Sequence, residues 1–307
     1  MIALRLLAGL AILLSPATLP AQEAAETDPT LAARVLYSIR PDGTERKLLY
    51  ELEDVDTVSS PSISSDGRLA FAAWNQAEDD TRVNSQVFCL TLSTLRVLKA
   101  LGDGARPSWS PRARRISYTR FGPNEGVWVM KSNGQNKVLL DRRGTDAQWS
   151  PNGHCIAYVK SSRGARTIAV YDMVEDRYIK LWEDSGSPCG VITGGFAWSP
   201  DSRRLCIQAR RLKDNDQGLE GKSEIAIDTV QNTPRAKVYD SFEGGVFPSV
   251  AWSSNGSQVV FSKPKGNDEA TQLYSFDPTL QNKPVLVPGQ DAERNNASPS
   301  WALDDSL

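Results

Sequence analysis

The sequence predicts an all-β fold, a six-bladed β-propeller of four-stranded antiparallel blades, and three observations predict it. One phrase, built on Trp-Ser and a Pro-Asp-Gly-like turn, recurs along the chain. An apolar hairpin follows most copies of it, and no helical period is found after the N-terminal apolar segment.

The phrase reads PSISSDGRLAF from Pro61, PSWSPRARRISY from Pro107, AQWSPNGHCIAY from Ala147, FAWSPDSRRLCI from Phe196, VAWSSNGSQVVF from Val250 and PSWALDDSL from Pro299. Its anchor residues are Ile63, Trp109, Trp149, Trp198, Trp252 and Trp301, at intervals of roughly forty to fifty-five residues. Each unit has one grammar: a short strand ends in Trp-Ser, the turn reverses the chain, and a second apolar strand follows, such as 115–119 or 257–263. A hairpin completes the blade at 87–92, 127–140, 168–172, 225–228 and 273–276. A tryptophan at the end of an inner strand suits the wedge between blades, where its large apolar area is buried and its indole N–H finds an acceptor.

The two ends of the chain complement each other. Residues 35–40, the turn Pro41-Asp42-Gly43 and residues 45–50 read as an outer hairpin without inner strands, whereas 298–301 read as an inner strand without a hairpin. Joining the N-terminal outer strands to the C-terminal inner strand closes the ring and removes two exposed sheet edges. That last blade is read as incomplete, either three-stranded or cut short at Leu307.

Residues 1–21 read as a signal peptide, with Arg5, an apolar run at 6–14, and small residues up to a cleavage point after Ala21. The apolar run falls short of the roughly 20 residues a spanning helix needs. Residues 22–33 are then a linker and 34–307 the propeller, a monomer with no membrane span once the leader is removed. With 35 basic and 37 acidic side chains among 307 residues the net charge is -2, which excludes a phosphate backbone or an anionic membrane surface as partner. Cys89, Cys155 and Cys206 lie in strand-like runs as small hydrophobes, and Cys189 lies in a turn-rich stretch as the most exposed of the four.

The phrases WSPNG from Trp149 and WSPDS from Trp198, with the hairpin VWVMKSNGQNKVLL from Val127, resemble the repeats of the TolB-like propeller family. The resemblance covers about residues 34–307. It implies a periplasmic or secreted six-bladed propeller that binds other proteins, in the manner of the Tol-Pal envelope system and its peptidoglycan-associated lipoprotein. The family's namesake carries an additional N-terminal α/β domain, for which this sequence has no counterpart before its first strand.

Little catalytic chemistry is legible. The one histidine, His154, sits in a turn, so neither a histidine-rich metal site nor a Ser-His-Asp triad is expected, and no Walker loop, G-x-S-x-G elbow or H-E-x-x-H helix is present. No cofactor is expected. The reading is a noncatalytic scaffold for an envelope protein or lipoprotein; the alternatives are a propeller enzyme or a glycan-binding module acting on polysaccharide or peptide in the channel, the latter using aromatics such as Phe121, Trp182 or Phe247. Two candidate surfaces follow: the face where the loops joining second and third strands emerge beside the connections between blades, and the channel mouth. One is an acidic arc formed by Glu78, Asp79 and Asp80, Asp214 and Asp216, and Asp268 and Glu269, which suits a basic partner segment or a weak calcium site, although 214–218 only half resembles a calcium loop. The other is the channel mouth, bordered by the residues three before each anchor: Ser60, Arg106, Asp146, Gly195, Ser249 and Ser298. Arg106 and Asp146 are its only charges, on adjacent blades.

Overall fold

Each Trp-Ser phrase folds into the same piece of structure, and the repetition of that piece builds the molecule. The computed structural model describes residues 11–14, 35–39, 47–52, 55, 57–75, 84–162, 165–181, 191–210, 223–230, 237–242, 250–265, 271–280, 282–288, 290 and 299. Within them, five four-stranded antiparallel sheets follow one another as blades. Blade one is β4 (Thr57–Ile63), β5 (Arg68–Trp74), β6 (Gln86–Thr91) and β7 (Arg96–Asp103). Blade two is β8 (Ala105–Trp109), β9 (Arg115–Arg120), β10 (Gly126–Lys131) and β11 (Val138–Asp141). Blade three is β12 (Gly144–Trp149), β13 (Cys155–Ser162), β14 (Ala165–Asp172) and β15 (Arg177–Leu181). Blade four is β16 (Val191–Trp198), β17 (Arg204–Arg210), β18 (Ser223–Thr229) and β19 (Lys237–Phe242). Blade five is β20 (Val250–Trp252), β21 (Val259–Pro264), β22 (Thr271–Phe276) and β23 (Val285–Leu286). The first strands of consecutive blades lie side by side, β4 on β8, β8 on β12, β12 on β16 and β16 on β20.

Among the described residues five blades are formed rather than the expected six, and no sixth four-stranded sheet is present. The hairpin of β2 (Val35–Ile39) and β3 (Lys47–Glu51) is present as predicted, but the strand that pairs with β2 is β1 (Ala11–Leu14), in a three-stranded sheet. The physical reason is local: beside β2 the described chain supplies one further strand, from the apolar run of the expected leader, in register Ala11↔Ile39 to Leu14↔Leu36. That strand lies against β4, in the inner position assigned above to 298–301. Of that stretch only Pro299 falls among the described residues, so the predicted closure lies outside them.

The core is a series of seams between blades. Trp109 packs with Ala70, Val87 and Cys89 of blade one, Trp149 with Val127 and Val129 of blade two, Trp198 with Val159 and Ile168 of blade three, and Trp252 with Cys206 and Ile225 of blade four. All four are 6–8% exposed, as expected of wedges. Leu36 and Leu52 continue the pattern by packing on Leu69 and Phe71 of blade one. The indole expectation holds for two of them: Trp198 Nε1 donates to Gln148 O at 3.2 Å and Trp252 Nε1 to Gly256 O at 3.3 Å, whereas Trp109 and Trp149 Nε1 have no acceptor among the described residues. Trp109 instead lies 4.5 Å beneath the Arg68 guanidinium.

The serine after each anchor explains why the phrase is Trp-Ser. Ser64, Ser110, Ser150, Ser199 and Ser253 are buried. Each hydroxyl oxygen accepts the backbone N–H four or five residues on, from Arg68, Arg115, Cys155, Arg204 and Gln258, at 2.8–2.9 Å. The hydroxyl protons of Ser64, Ser150, Ser199 and Ser253 reach Asp66, Asn152, Asp201 and Asn255 two residues on. The turn closes with a residue in the left-handed region, Gly67, Ala113, Gly153, Ser202 or Gly256, at φ between 53° and 78°. Neighbouring turns also touch: Ser65 Oγ donates to Pro111 O at 2.9 Å and Asn152 N to Ser202 Oγ at 3.0 Å.

Removing one of these hydroxyls strands a buried N–H. Ser199→Ala is expected to lower unfolding stability by roughly 1–3 kcal/mol, and the exposed Ser257→Ala by no more than about 0.5 kcal/mol, as read by urea denaturation.

Candidate functional site

The residues three before each anchor occupy a shared feature. The register between first and second strands shifts at Ser59/Ser62, Ala105/Ser108, Thr145/Gln148 and Ile192/Phe196, so blades one to four each carry a bulge that spans the position three before the anchor. Ser60, Arg106 and Asp146 lie within these bulges with φ of 54°, 53° and 59°. Such left-handed backbone is unfavourable for a residue with a Cβ. The bulge aims the charged side chains of two adjacent blades at each other.

Arg106 Nη1 donates to Asp146 Oδ1, forming the ion pair the sequence suggests. Thr145 Oγ1 donates to the second carboxylate oxygen at 3.0 Å, Arg166 Nη2 stands 3.8 Å from it, and Asp146 N donates to Thr119 Oγ1 at 2.9 Å. Asp146 is thus a node holding blade three to blade two, 14% exposed, while Arg106 and Arg166 remain 35% and 39% exposed. Of the other predicted site residues, Glu78, Asp79, Asp80, Asp214, Asp216, Asp268 and Glu269 lie outside the described residues, as do Ser249, Ser298, Trp182 and Phe247. Gly195 is buried and Phe121 partly so, and His154 is an exposed turn residue as predicted. Cys89 and Cys206 are buried within β6 and β17 and Cys155 is half-buried in β13; burial pushes the thiols of Cys89 and Cys155 up to about 11, leaving them inert near neutral pH.

A second set of polar seams at this end escaped the sequence reading. Asp141, at the close of β11, receives Lys160 Nζ at 2.7 Å and the hydroxyls of Tyr158 and Tyr178 at 3.0 Å each. Lys160 also caps the Tyr178 ring at 4.6 Å. Burial works against the charged Asp141, but Lys160, the Arg143 N–H and the two tyrosines together hold its carboxyl below the usual carboxylate range. Burial opposes the Lys160 charge as well, yet Asp141 and Tyr178 hold that ammonium above its usual range. The same seam recurs as Arg120 on Asp103 at 3.5 Å and as Lys263 on Asp240 at 2.6 Å. The signal was in the chain: each cation stands eleven residues beyond its anchor tryptophan.

Fold and seams define the class, a β-propeller of four-stranded blades whose loop end is edged with paired and unpaired charge. No family model and no curated protein matches the sequence. Among solved structures the chain is similar to TolB from Acinetobacter baumannii, with TM-score 0.68 and 18% identity over 95% of this chain and 66% of that one. It is similar to a chain of a nidogen/laminin complex, with TM-score 0.67 and 12% identity over 97% and 100%. It is also similar to an oligogalacturonate lyase from Vibrio parahaemolyticus, with TM-score 0.54 and 12% identity over 79% and 72%. At these identities the likeness is one of fold, and the chain is TolB-like in that sense. It spans about two thirds of the Acinetobacter TolB chain.

The Asp141 cluster has a pH signature. Its carboxyl titrates lower in the folded chain than in the unfolded one, so its contribution is present above about pH 4 and fades as pH falls through the folded value. Asp141→Ala is expected to lower stability by about 2 kcal/mol or more at neutral pH and to flatten the loss of Tm between neutral and acid pH. Thermal melts across that range check both.

Proposed function

We propose that the chain is an exported, noncatalytic propeller that binds a protein partner across its loop end. The observation that carries this reading is the display of cationic side chains there on blades two and three: Arg142 and Arg143 are exposed, and Arg106 and Arg166 flank a carboxylate that both hold. Fixed charge on bulged, well-anchored strands steers and registers a partner without chemistry of its own. Among the described residues no group of three His, Cys, Asp or Glu side chains gathers as a metal would need, and no helix is long and apolar enough to cross a membrane. The nidogen/laminin and TolB likenesses support a binding propeller, and the leader-like residues 1–21 support a periplasmic or secreted location with an envelope protein or lipoprotein as partner.

Affinity capture from solubilised cell envelopes, with bound proteins identified by mass spectrometry at low and high salt, tests the reading. One protein recovered at low salt, lost at high salt and lost with Arg106→Glu is the expected outcome. Recovery of none contradicts it, as does measurable turnover of peptide or polysaccharide by the purified chain. N-terminal sequencing of the exported chain is expected to begin at Gln22, a cleavage that removes β1 and leaves the β2–β3 hairpin without that neighbour, and retention of Met1 in the exported product would refute leader cleavage.

A further inference from the structure

The seam between blades one and two is built like its neighbour but lacks one member. Tyr118 and Arg120 stand nine and eleven residues beyond Trp109, as Tyr158 and Lys160 stand beyond Trp149. In the second seam both side chains converge on Asp141 Oδ2, at 3.0 and 2.7 Å. In the first, the Tyr118 hydroxyl and Arg120 Nε are buried with no acceptor among the described residues. Among the described residues the Asp103 carboxylate meets only Arg120 Nη2, at 3.5 Å, and is 65% exposed. It immediately precedes Gly104, whereas Asp141 stands three residues ahead of Gly144, so its carboxylate sits elsewhere along the seam.

The same fold position shows that the hydroxyl is not a packing requirement. Blade five has Phe261 there, with Lys263 satisfied by Asp240 at 2.6 Å, and blade four has Ile207. A buried hydroxyl without a partner is unfavourable, and an aromatic ring alone fills the space. We infer that the Tyr118–Arg120 position receives a carboxylate from an acidic segment of the protein partner, and this rests on the scaffold reading given above. The surroundings fit an acidic peptide: Gly126 is cross-strand from Arg120, a Cβ added there would lie 2.8 Å from Arg142 Cα, and so the backbone of the exposed Arg142 runs beside the strand pair that carries Arg120. The carboxylate enters as Arg120, now 5.2 Å over the Trp128 ring, turns to meet it.

The test uses the purified full chain and a fluorescein-labelled peptide, Gly-Glu-Asp-Glu-Gly, read by anisotropy, beside its Gln/Asn counterpart. The wild type is expected to bind the acidic peptide and not the amide one, and Tyr118→Phe to weaken binding about tenfold or more without lowering Tm. Tyr178→Phe, in the neighbouring seam, leaves binding unchanged. Equal binding by Tyr118→Phe, or equal binding of both peptides, overturns the inference. So does failure of the wild type to bind alongside a raised Tm for Tyr118→Phe, which assigns the hydroxyl to a trapped water. Displacement by a uronate disaccharide at lower concentration than by unlabelled peptide overturns the protein source. Peptide binding with failed envelope capture removes only the scaffold reading; successful capture without peptide binding removes only this position.

Discussion

The hydroxyl of the serine behind each anchor tryptophan is the contact on which the rest of the propeller depends. It sits where the first strand ends, accepts the N–H that opens the second strand, and in four of five blades donates to an Asp or Asn inside the same turn. A tight reversal at that point leaves one backbone donor out of water, and the hydroxyl satisfies it. Because the turn is then fixed, the tryptophan beside it enters the neighbouring blade at a set height. The turns also touch one another: Gly153 lies against Pro111 and Gly256 against Pro200, so one end of the molecule is a chain of locked reversals.

At the opposite end the blades are joined by charge. Arg120 to Asp103, Lys160 to Asp141, Lys263 to Asp240 and Arg106 to Asp146 all cross from one blade to the next. The apolar wedges supply the greater part of the cohesion, since each tryptophan removes a large area from water. The ion pairs contribute less individually, and the partly exposed ones least. What they add is register: Arg120, Lys160 and Lys263 on second strands each face one carboxylate on the blade before, and Arg106 on a first strand faces one on the blade after. A face built this way holds its charges in fixed places, which is what a recognition surface requires.

Much of the fold was legible because its causes are local. Trp-Ser, the turn residues and the hairpin following each copy are all written within about thirty residues, and the strands 126–131, 165–172 and 271–276 fall where the phrase puts them. The position three before each anchor was legible as well, because the bulge recurs with the phrase. The blade count was not, because closure depends on which distant segment pairs with β2, and sequence similarity does not rank Ala11–Leu14 against 298–301. Nor were the charged seams, whose partners lie on different blades. Tyr118, Tyr158 and Phe261 look interchangeable in sequence; the hydroxyl's fate is visible only once Asp141 and Asp103 are placed. The acidic residues at 78–80, 214–216 and 268–269 lie outside the described residues, and the arc rests on sequence alone.

Buried serine hydroxyls hold the turns, and wedges, seams and loop surface follow from that hold. Amide hydrogen exchange at Arg68, Arg115, Cys155, Arg204 and Gln258 tests it most directly, since each N–H is donated to a serine oxygen at 2.8–2.9 Å. The account predicts protection equal to that of the strand interiors, with all five opening only as the blades unfold. Exchange at rates typical of exposed turns would contradict it.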